Sequence, residues 1–513
     1  MARNSPPPDW ISGLDFDRAL RNCHVDFLGD WYRDPWGWPE VDWAVKEAFD
    51  EVVAPRVRAL GVKHVAKLDV AKENFSVRPA VVMDPIDRLC YQALTDALSK
   101  TLIGNLSPFA YGWRLARRKT VKGDYGDNAA EWESYRRHLE MLGLLFKAGL
   151  KTDIVSFFAS VPIPRLSEDI LDHANNSIAR RLVDMLAGFD AVNGRSGLPQ
   201  RSFASAALAH FYLWPLDQVL LKHSKSRRSF QGLARRGRSL RWMDDVWVFG
   251  SSAAALRGAQ VDIQRTLEDL GLRMNIAKTD VLEGDDLDDH VYSLEHSAVD
   301  GGLASEPPDL NPLDELIDTV LSKPEHADRT SVRFATIRMR KHSAYERVGE
   351  FEDNAKRMPH ASDALARLFR DAGEWTNLQE WYVKYAQSSW ACIDWSTAQL
   401  GTMFPSSKAP EGIVVDHMAS RVDDTSLAMV GLAAQRLAAW NRDVARDAVR
   451  DAGKSVANPA ARRALALAAL SAGEERAVIR KMLGEFEESQ VTLRMLESRN
   501  FKRPRVSADF VGG

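Results

Sequence analysis

SLRWMDDVWVFG, residues 239–250, sets two carboxylates, Asp244 and Asp245, side by side between two apolar runs. Residues 240–242 and 246–249 are rich in β-branched and aromatic side chains, which reads as a strand on either side. The two aspartates then belong at or near the tip of a hairpin. Like charges held that close repel, and a counter-charge relieves them. An adjacent acidic pair is common in solvated turns, so its meaning depends on what accompanies it.

Three further stretches do. Upstream, GLKTDIVSFFASV places Asp153 after an amphipathic helix and at the opening of another strand-like run. Between the two, SGLPQRSFASAALAHFYLWPLD is a Gly-Pro turn, with Gly197, Pro199 and Gln200, feeding an apolar helix. Downstream, LGLRMNIAKTDVLEG carries Lys278 beyond a helix that ends at Gly271.

This order of strand Asp, Gly-Leu-Pro-Gln turn with helix, Asp-Asp hairpin, and helix followed by Lys resembles the palm of reverse transcriptases, covering about 250 residues. The resemblance implies an α+β fold of fingers and palm, a right-hand polymerase. It implies two Mg²⁺ ions, replaceable by Mn²⁺, with Asp153 and Asp244 bridging them. Ile154 would add its backbone carbonyl, and Asp245 a supporting carboxylate. Such ions clamp the attacking and leaving oxygens of an in-line displacement at phosphorus, and Mg²⁺ favours hard oxygen ligands. Phe158 occupies the position where the family sets a ring under the incoming sugar, excluding a ribose 2′-OH and selecting deoxynucleotides. Strand alternation would turn Phe157 to the opposite face, into the core.

Two positions depart from the family. Trp242 replaces the usual tyrosine before the hairpin, and Arg201 replaces the glycine that follows Gly-Leu-Pro-Gln. Arg201 puts charge where a template would pass, so a template-independent DNA polymerase of the same fold stays open.

Residues 75–98 and 107–124 carry features of the fingers. Lys72 and Arg78 are candidates for the triphosphate. Arg114, Arg117, Arg118, Lys119 and Lys122 are interleaved with Tyr111 and Trp113, a composition suited to a nucleic-acid groove. The net charge of the 513 residues is only −3, but residues 222–241 hold eight basic side chains and no acidic one, a local stripe leading into the hairpin. Cys23, Cys90 and Cys392 form neither a zinc pattern nor a disulfide framework, which fits a reducing cytoplasm. No apolar run is long enough to span a membrane.

Three regions are expected: a Trp-rich lead-in packed on the fingers over residues 1–50, fingers and palm over 51–302, and thumb-like and repeat-like helices over 303–513. Residues 290–302 would form a short hairpin supporting the primer end. Residues 329–341 carry five basic side chains on one helix, as in a thumb against a duplex. A palm followed by a long helical tail looks like the abortive-infection, defence-associated bacterial reverse transcriptases. That implies anti-phage defence, homo-oligomers, a DNA product with or without a non-coding RNA template, and synthesis started on a protein hydroxyl in some members. Tyr32 is the candidate acceptor. The rival from another class is a non-catalytic nucleic-acid-binding scaffold, against which the three close carboxylates argue.

Overall fold

The computed structural model describes residues 9–63, 65–120, 123–193, 197–224, 237–373 and 375–506. It is a mixed α+β protein, mostly helical, that divides into two compact units. The first comprises Met1–Gly29, Ala48–Lys63 and Pro85–Leu294; the second comprises Asp30–Glu47, His64–Asp84 and Glu295–Gly513. The division does not follow the linear order of the sequence, because the Trp-rich lead-in is shared between the units and His64–Asp84 belongs to the second.

The first unit is built on a five-stranded sheet. In chain order the strands of the protein are β1 (Val65–Ala71), β2 (Val77–Met83), β3 (Ala110–Tyr111), β4 (Leu115–Thr120), β5 (Gly123–Tyr125), β6 (Ala148–Thr152), β7 (Ser239–Trp242), β8 (Asp245–Gly250) and β9 (Asp280–Glu283). The large sheet runs β3-β7-β8-β6-β9, antiparallel except for β3 against β7. Residues 246–249 of β8 are all buried, since helices cover both faces of this central strand. The Ala253–Asp269 helix packs on one face through Leu256, Ala259, Ile263 and Leu267, an i, i+3, i+7, i+11 stripe. On the other face a Cβ at Gly149 would lie 2.7 Å from Leu287 Cδ1 and 3.2 Å from the Trp247 ring, so a side chain there would need both to give way.

In the second unit β1 and β2 form an antiparallel hairpin, and the rest is helical among the described residues. Asn458 accepts from the backbone N–H groups of Ala460 and Ala461 to cap the Pro459–Ala472 helix, and Gly473 ends it in the left-handed conformation. The tail is thus helical, as its composition indicates. Residues 290–302 are not a hairpin. They fall in two helices, Asp285–Tyr292 and Leu294–Leu303, broken at Ser293. Leu287 with Val291, and Val299 with Leu303, are buried pairs four apart, so helical burial outweighs the local β propensity.

The Trp-rich segment 30–47 belongs to the helical unit, joined there by Arg463, whose guanidinium bonds Asp34 at 2.6 Å and Glu40 at 2.9 Å and stacks on Trp38. It is therefore an integral part of the helical unit's core.

Candidate active site

The pairing of β7 with β8 brings Trp242 opposite Asp245, leaving Met243 and Asp244 as a two-residue turn. Met243 is buried with φ +54°, a conformation that costs an ordinary side chain about 1–3 kcal/mol. Arg241 holds it there. Its side chain is wholly buried, donates from Nη1 to the Met243 carbonyl at 3.1 Å, and forms a two-point ion pair with Asp217 at 2.6 and 3.0 Å. Nη1 also donates to His210 Nδ1 at 3.1 Å, so the imidazole proton sits on Nε2, which donates to the Gly112 carbonyl at 2.7 Å. Burial and the Arg241 charge hold His210 well below its usual pKa, consistent with that neutral form. Gly112, at φ +78°, lies under the Trp242 ring, itself packed with Trp113, Trp132 and Tyr135.

Arg241 is accordingly a support of the hairpin and no part of a solvent-facing basic stripe. Of that stripe, Lys225, Arg227, Arg228, Arg235 and Arg236 lie outside the described residues.

Strand β6 ends at Thr152, and Asp153 follows it, where the sequence reading had a strand begin. The register Thr152 to Val246 places Asp153 one step further, across from Asp245. The chain continues as an isolated bridge between Ile154 and Met274, bonded through the Asp153 carbonyl and the Val155 N–H. In an antiparallel pair bonded that way, the carbonyl of the intervening residue points to the opposite side. Ile154's carbonyl is thereby directed to the β8 side, where the hairpin lies.

Asp153 pairs with Lys278 Nζ at 3.5 Å through Oδ2, while its Oδ1 is buried without a hydrogen-bond partner. Asp245 is open to solvent as a residue, yet its carboxyl is crowded. Partial desolvation and the neighbouring Asp153 charge raise its pKa to about 6, against the pull of Lys151 and Lys278. Asp244 occupies the second turn position and is half-buried.

Lys151 is a site residue that the sequence reading passed over. It lies two residues before Asp153, hence on the same face of the strand, and it stacks on Trp247 as well as acting on Asp245.

Among the described residues no group of three or more His, Cys, Asp or Glu is placed to hold a metal ion by itself. Mg²⁺ takes one or two carboxylates and completes its shell with water and substrate phosphates. Two facing carboxylates, one with an orphaned buried oxygen, and a backbone carbonyl fit that requirement.

Residue Phe158 does not lie on a strand. Ser156, at φ +47°, turns the chain into a short helix, Phe157–Ser160. Phe157 is buried and Phe158 half-buried, so the two rings differ in exposure without strand alternation. The Phe158 carbonyl accepts the Leu198 N–H at 2.7 Å, which docks the Gly-Leu-Pro-Gln turn directly on the residue expected to sense the sugar. A side chain at Gly197, φ +101°, would lie 2.5 Å from the Ala159 Cα. Pro199 is buried and Gln200 half-buried. Arg201 is exposed with φ +59°, and its carbonyl accepts from Arg88 at 2.6 Å.

The remaining candidates are dispersed. Lys72 and Arg78 belong to the helical unit, where Arg78 stacks on Trp31. Arg114 donates to the Pro108 carbonyl at 3.5 Å. Tyr111 is buried and bonded to His138, so its ring is not available to bases. Arg117, Arg118 and Lys119 lie on β4 with side chains outside the described residues, as does Lys122 altogether. Tyr32 is buried against Trp38 and Gly431, and burial beside Asp34 pushes its hydroxyl well above the usual range. A hydroxyl so enclosed is not placed to attack a phosphate. Eight of the ten tyrosines are buried, and only Tyr292 and Tyr345 are not.

No helix of the described residues is long and apolar enough to cross a membrane. No protein-family model matches the chain, and no curated protein matches it in sequence.

Proposed function

We propose that the protein is a DNA polymerase of the reverse-transcriptase kind, transferring deoxynucleotides at the site of Asp153, Asp244 and Asp245, and that it acts in anti-phage defence, as a palm followed by a long helical tail implies. The observation that supports the chemistry is the meeting of Asp153 and Asp245 at adjoining strand ends, with Asp153 Oδ1 buried and unpartnered and Lys278 at the same carboxylate.

Bound Mg²⁺ would supply charge stabilisation at the attacking and leaving oxygens. Asp153, Asp244 and Asp245 would hold it, with the Ile154 carbonyl. Lys278, an exposed cation paired with Asp153, would neutralise charge on a leaving pyrophosphate. Phe158, fixed by the Leu198 hydrogen bond, would test the sugar. Arg201 stands at the end of the turn that carries this bond, which keeps the template-independent reading in play.

The experiment is incorporation of labelled deoxynucleotides by purified protein with Mg²⁺ or Mn²⁺, with and without an RNA template and primer. Asp153→Asn and Asp244→Asn should each abolish incorporation with the melting temperature retained. Activity above a few per cent of wild type in both variants removes the proposal. Incorporation that needs no template selects the template-independent form.

A further inference from the structure

The Gly-Leu-Pro-Gln turn runs into the Phe203–Tyr212 helix, whose ten residues are all buried. A helix that starts inside a protein leaves its first N–H groups without water, so side chains must take them. Three do so. Asp26 accepts from the Phe203 N–H with both oxygens at 3.2 Å, Gln92 from Ala204 at 3.1 Å, and Ser202 from Ser205 at 3.4 Å. Asp26 comes from the Phe16–Gly29 helix and Gln92 from the Pro85–Ile103 helix, so neither is local to the turn. The Asp26 charge also suits the positive end of the helix dipole.

Arg88 adds a contact that reaches back into the turn. Its Nη2 donates to the Arg201 carbonyl at 2.6 Å and lies 3.6 Å from Asp26 Oδ2. Both side chains are buried, and the Arg88 guanidinium packs over the Phe27 ring. One nitrogen thus faces both the acid that caps the helix and the carbonyl that ends the turn. That carbonyl belongs to a residue at φ +59°, a conformation that side chains avoid, so it has to be held there. Three residues earlier the Leu198 N–H bonds the Phe158 carbonyl at 2.7 Å. Pro199 and Gln200 lie between these two anchors, and the proline ring stiffens the span. A short, stiff segment therefore couples the buried pair to Phe158.

We infer that Arg88, seated on Asp26, is a positioning residue: by holding the Arg201 carbonyl it sets where the turn docks, and hence where Phe158 meets the sugar of an incoming nucleotide. This rests on the polymerase reading of the carboxylate site. Arg88 acts through the turn and not on the nucleotide. A ring that excludes one hydroxyl works by contact, so a shift of about 1 Å is enough to weaken it.

The test is steady-state incorporation by the full-length protein with Mg²⁺, comparing kcat/KM for a deoxynucleotide with that for the matching ribonucleotide. Arg88→Gln should lower this ratio about tenfold, the scale expected when a reacting group is misplaced by a fraction of an ångström. Arg88→Lys keeps a cation facing Asp26 and should restore part of the ratio. Should Arg88→Gln not fold, Asp26→Asn takes its place, because it keeps an acceptor for the Phe203 N–H and removes the charge that seats Arg88. Leu98→Ala, about 15 Å further along the same helix, opens a cavity there and should lower the melting temperature with the ratio unchanged. An unchanged ratio in the folded Arg88 or Asp26 variant would overturn the inference, as would an equal fall in Leu98→Ala. If wild type incorporates neither nucleotide, the polymerase reading fails by itself, and hydrogen exchange decides the coupling. Exchange of the Leu198 amide, relative to the amides of β6, should quicken in Arg88→Gln and not in Leu98→Ala. A Leu198 amide as protected as in wild type would overturn the coupling.

Discussion

At the scale of single residues, the telling interaction is between Asp153 and Asp245. Partial desolvation and then Asp153 lift the Asp245 carboxyl to about pH 6, so the folded protein binds a proton there that the unfolded chain gives up near 4. The sign follows. The folded state holds more protons between those values, so this group makes stability fall as pH rises from about 4 to about 6. Asp153→Asn should remove part of the cause, and carbon NMR of the carboxyls should show the Asp245 midpoint moving down. A midpoint unmoved would separate the two carboxylates. A divalent cation favours the charged form and competes with the proton. The rise in melting temperature caused by Mg²⁺ should therefore grow between pH 5 and 7, and should vanish in Asp153→Asn.

At the scale of elements, the hairpin and the Gly-Leu-Pro-Gln turn are each held by contacts from distant sequence. Gly197→Ala would set a methyl against the Phe158–Ala159 backbone in a conformation that side chains avoid. A loss of about 2–4 kcal/mol in urea unfolding is expected from strain and overpacking together. Loss below 0.5 kcal/mol would mean that the turn does not dock there. The Asp217–Arg241 pair makes a sharper comparison, because both side chains are fully buried. Asp217→Asn leaves a buried cation under-compensated and should cost about 3–5 kcal/mol, whereas Asp217→Leu with Arg241→Met removes both charges and should cost far less. The double variant still lacks the bond to the Met243 carbonyl, so its hairpin should loosen. Faster hydrogen exchange at residues 242–245, with global stability kept, is the expected signature.

These two elements also mark what the sequence discloses. The strands around Asp244 and Asp245 are legible because apolar β-branched and aromatic residues flank the pair on both sides. Asp153 is legible as a residue and misread as an element. Apolar side chains lie both before and after it, the chain bends into a helix at Ser156, and the turn that docks on that helix through Leu198 is 40 residues away. The helical signal around residues 290–302, the apolar pairs Leu287 with Val291 and Val299 with Leu303, reaches beyond that stretch at both ends, and within it a scatter of Val, Tyr and His resembles a strand. Arg241 looked like one more member of a basic run, since nothing local announces that Asp217 and His210 enclose it.

At the scale of the whole molecule, the chain does not fold in linear blocks, and Arg463 shows why. It sits in the apolar Pro459–Ala472 helix with its side chain 4% exposed, facing Asp34 and Glu40 at 0% and 2%. Thr492 donates to Glu40 at 3.0 Å, and Trp38 covers the guanidinium. Charges so deeply buried persist only when paired, so this one arginine ties residues more than 400 apart in sequence. Nothing in the Trp-rich segment or the helix foretells it, because pairing of buried charges is a property of the assembled core. Arg463→Ala should cost about 3–5 kcal/mol by leaving two carboxylates without their counter-charge. Lysine should rescue only partly, since it lacks the fork that meets both carboxylates. The loss should also depend on pH. Burial already raises Asp34 above the usual carboxylate range, and removal of Arg463 raises it further, so the folded variant binds the extra proton. Its deficit relative to wild type should shrink as the pH is lowered from 8 to 5. Urea unfolding at both pH values, with limited proteolysis of residues 30–47, measures this. A deficit independent of pH, or a segment as protected as in wild type, would show that other contacts hold the lead-in to the helical tail.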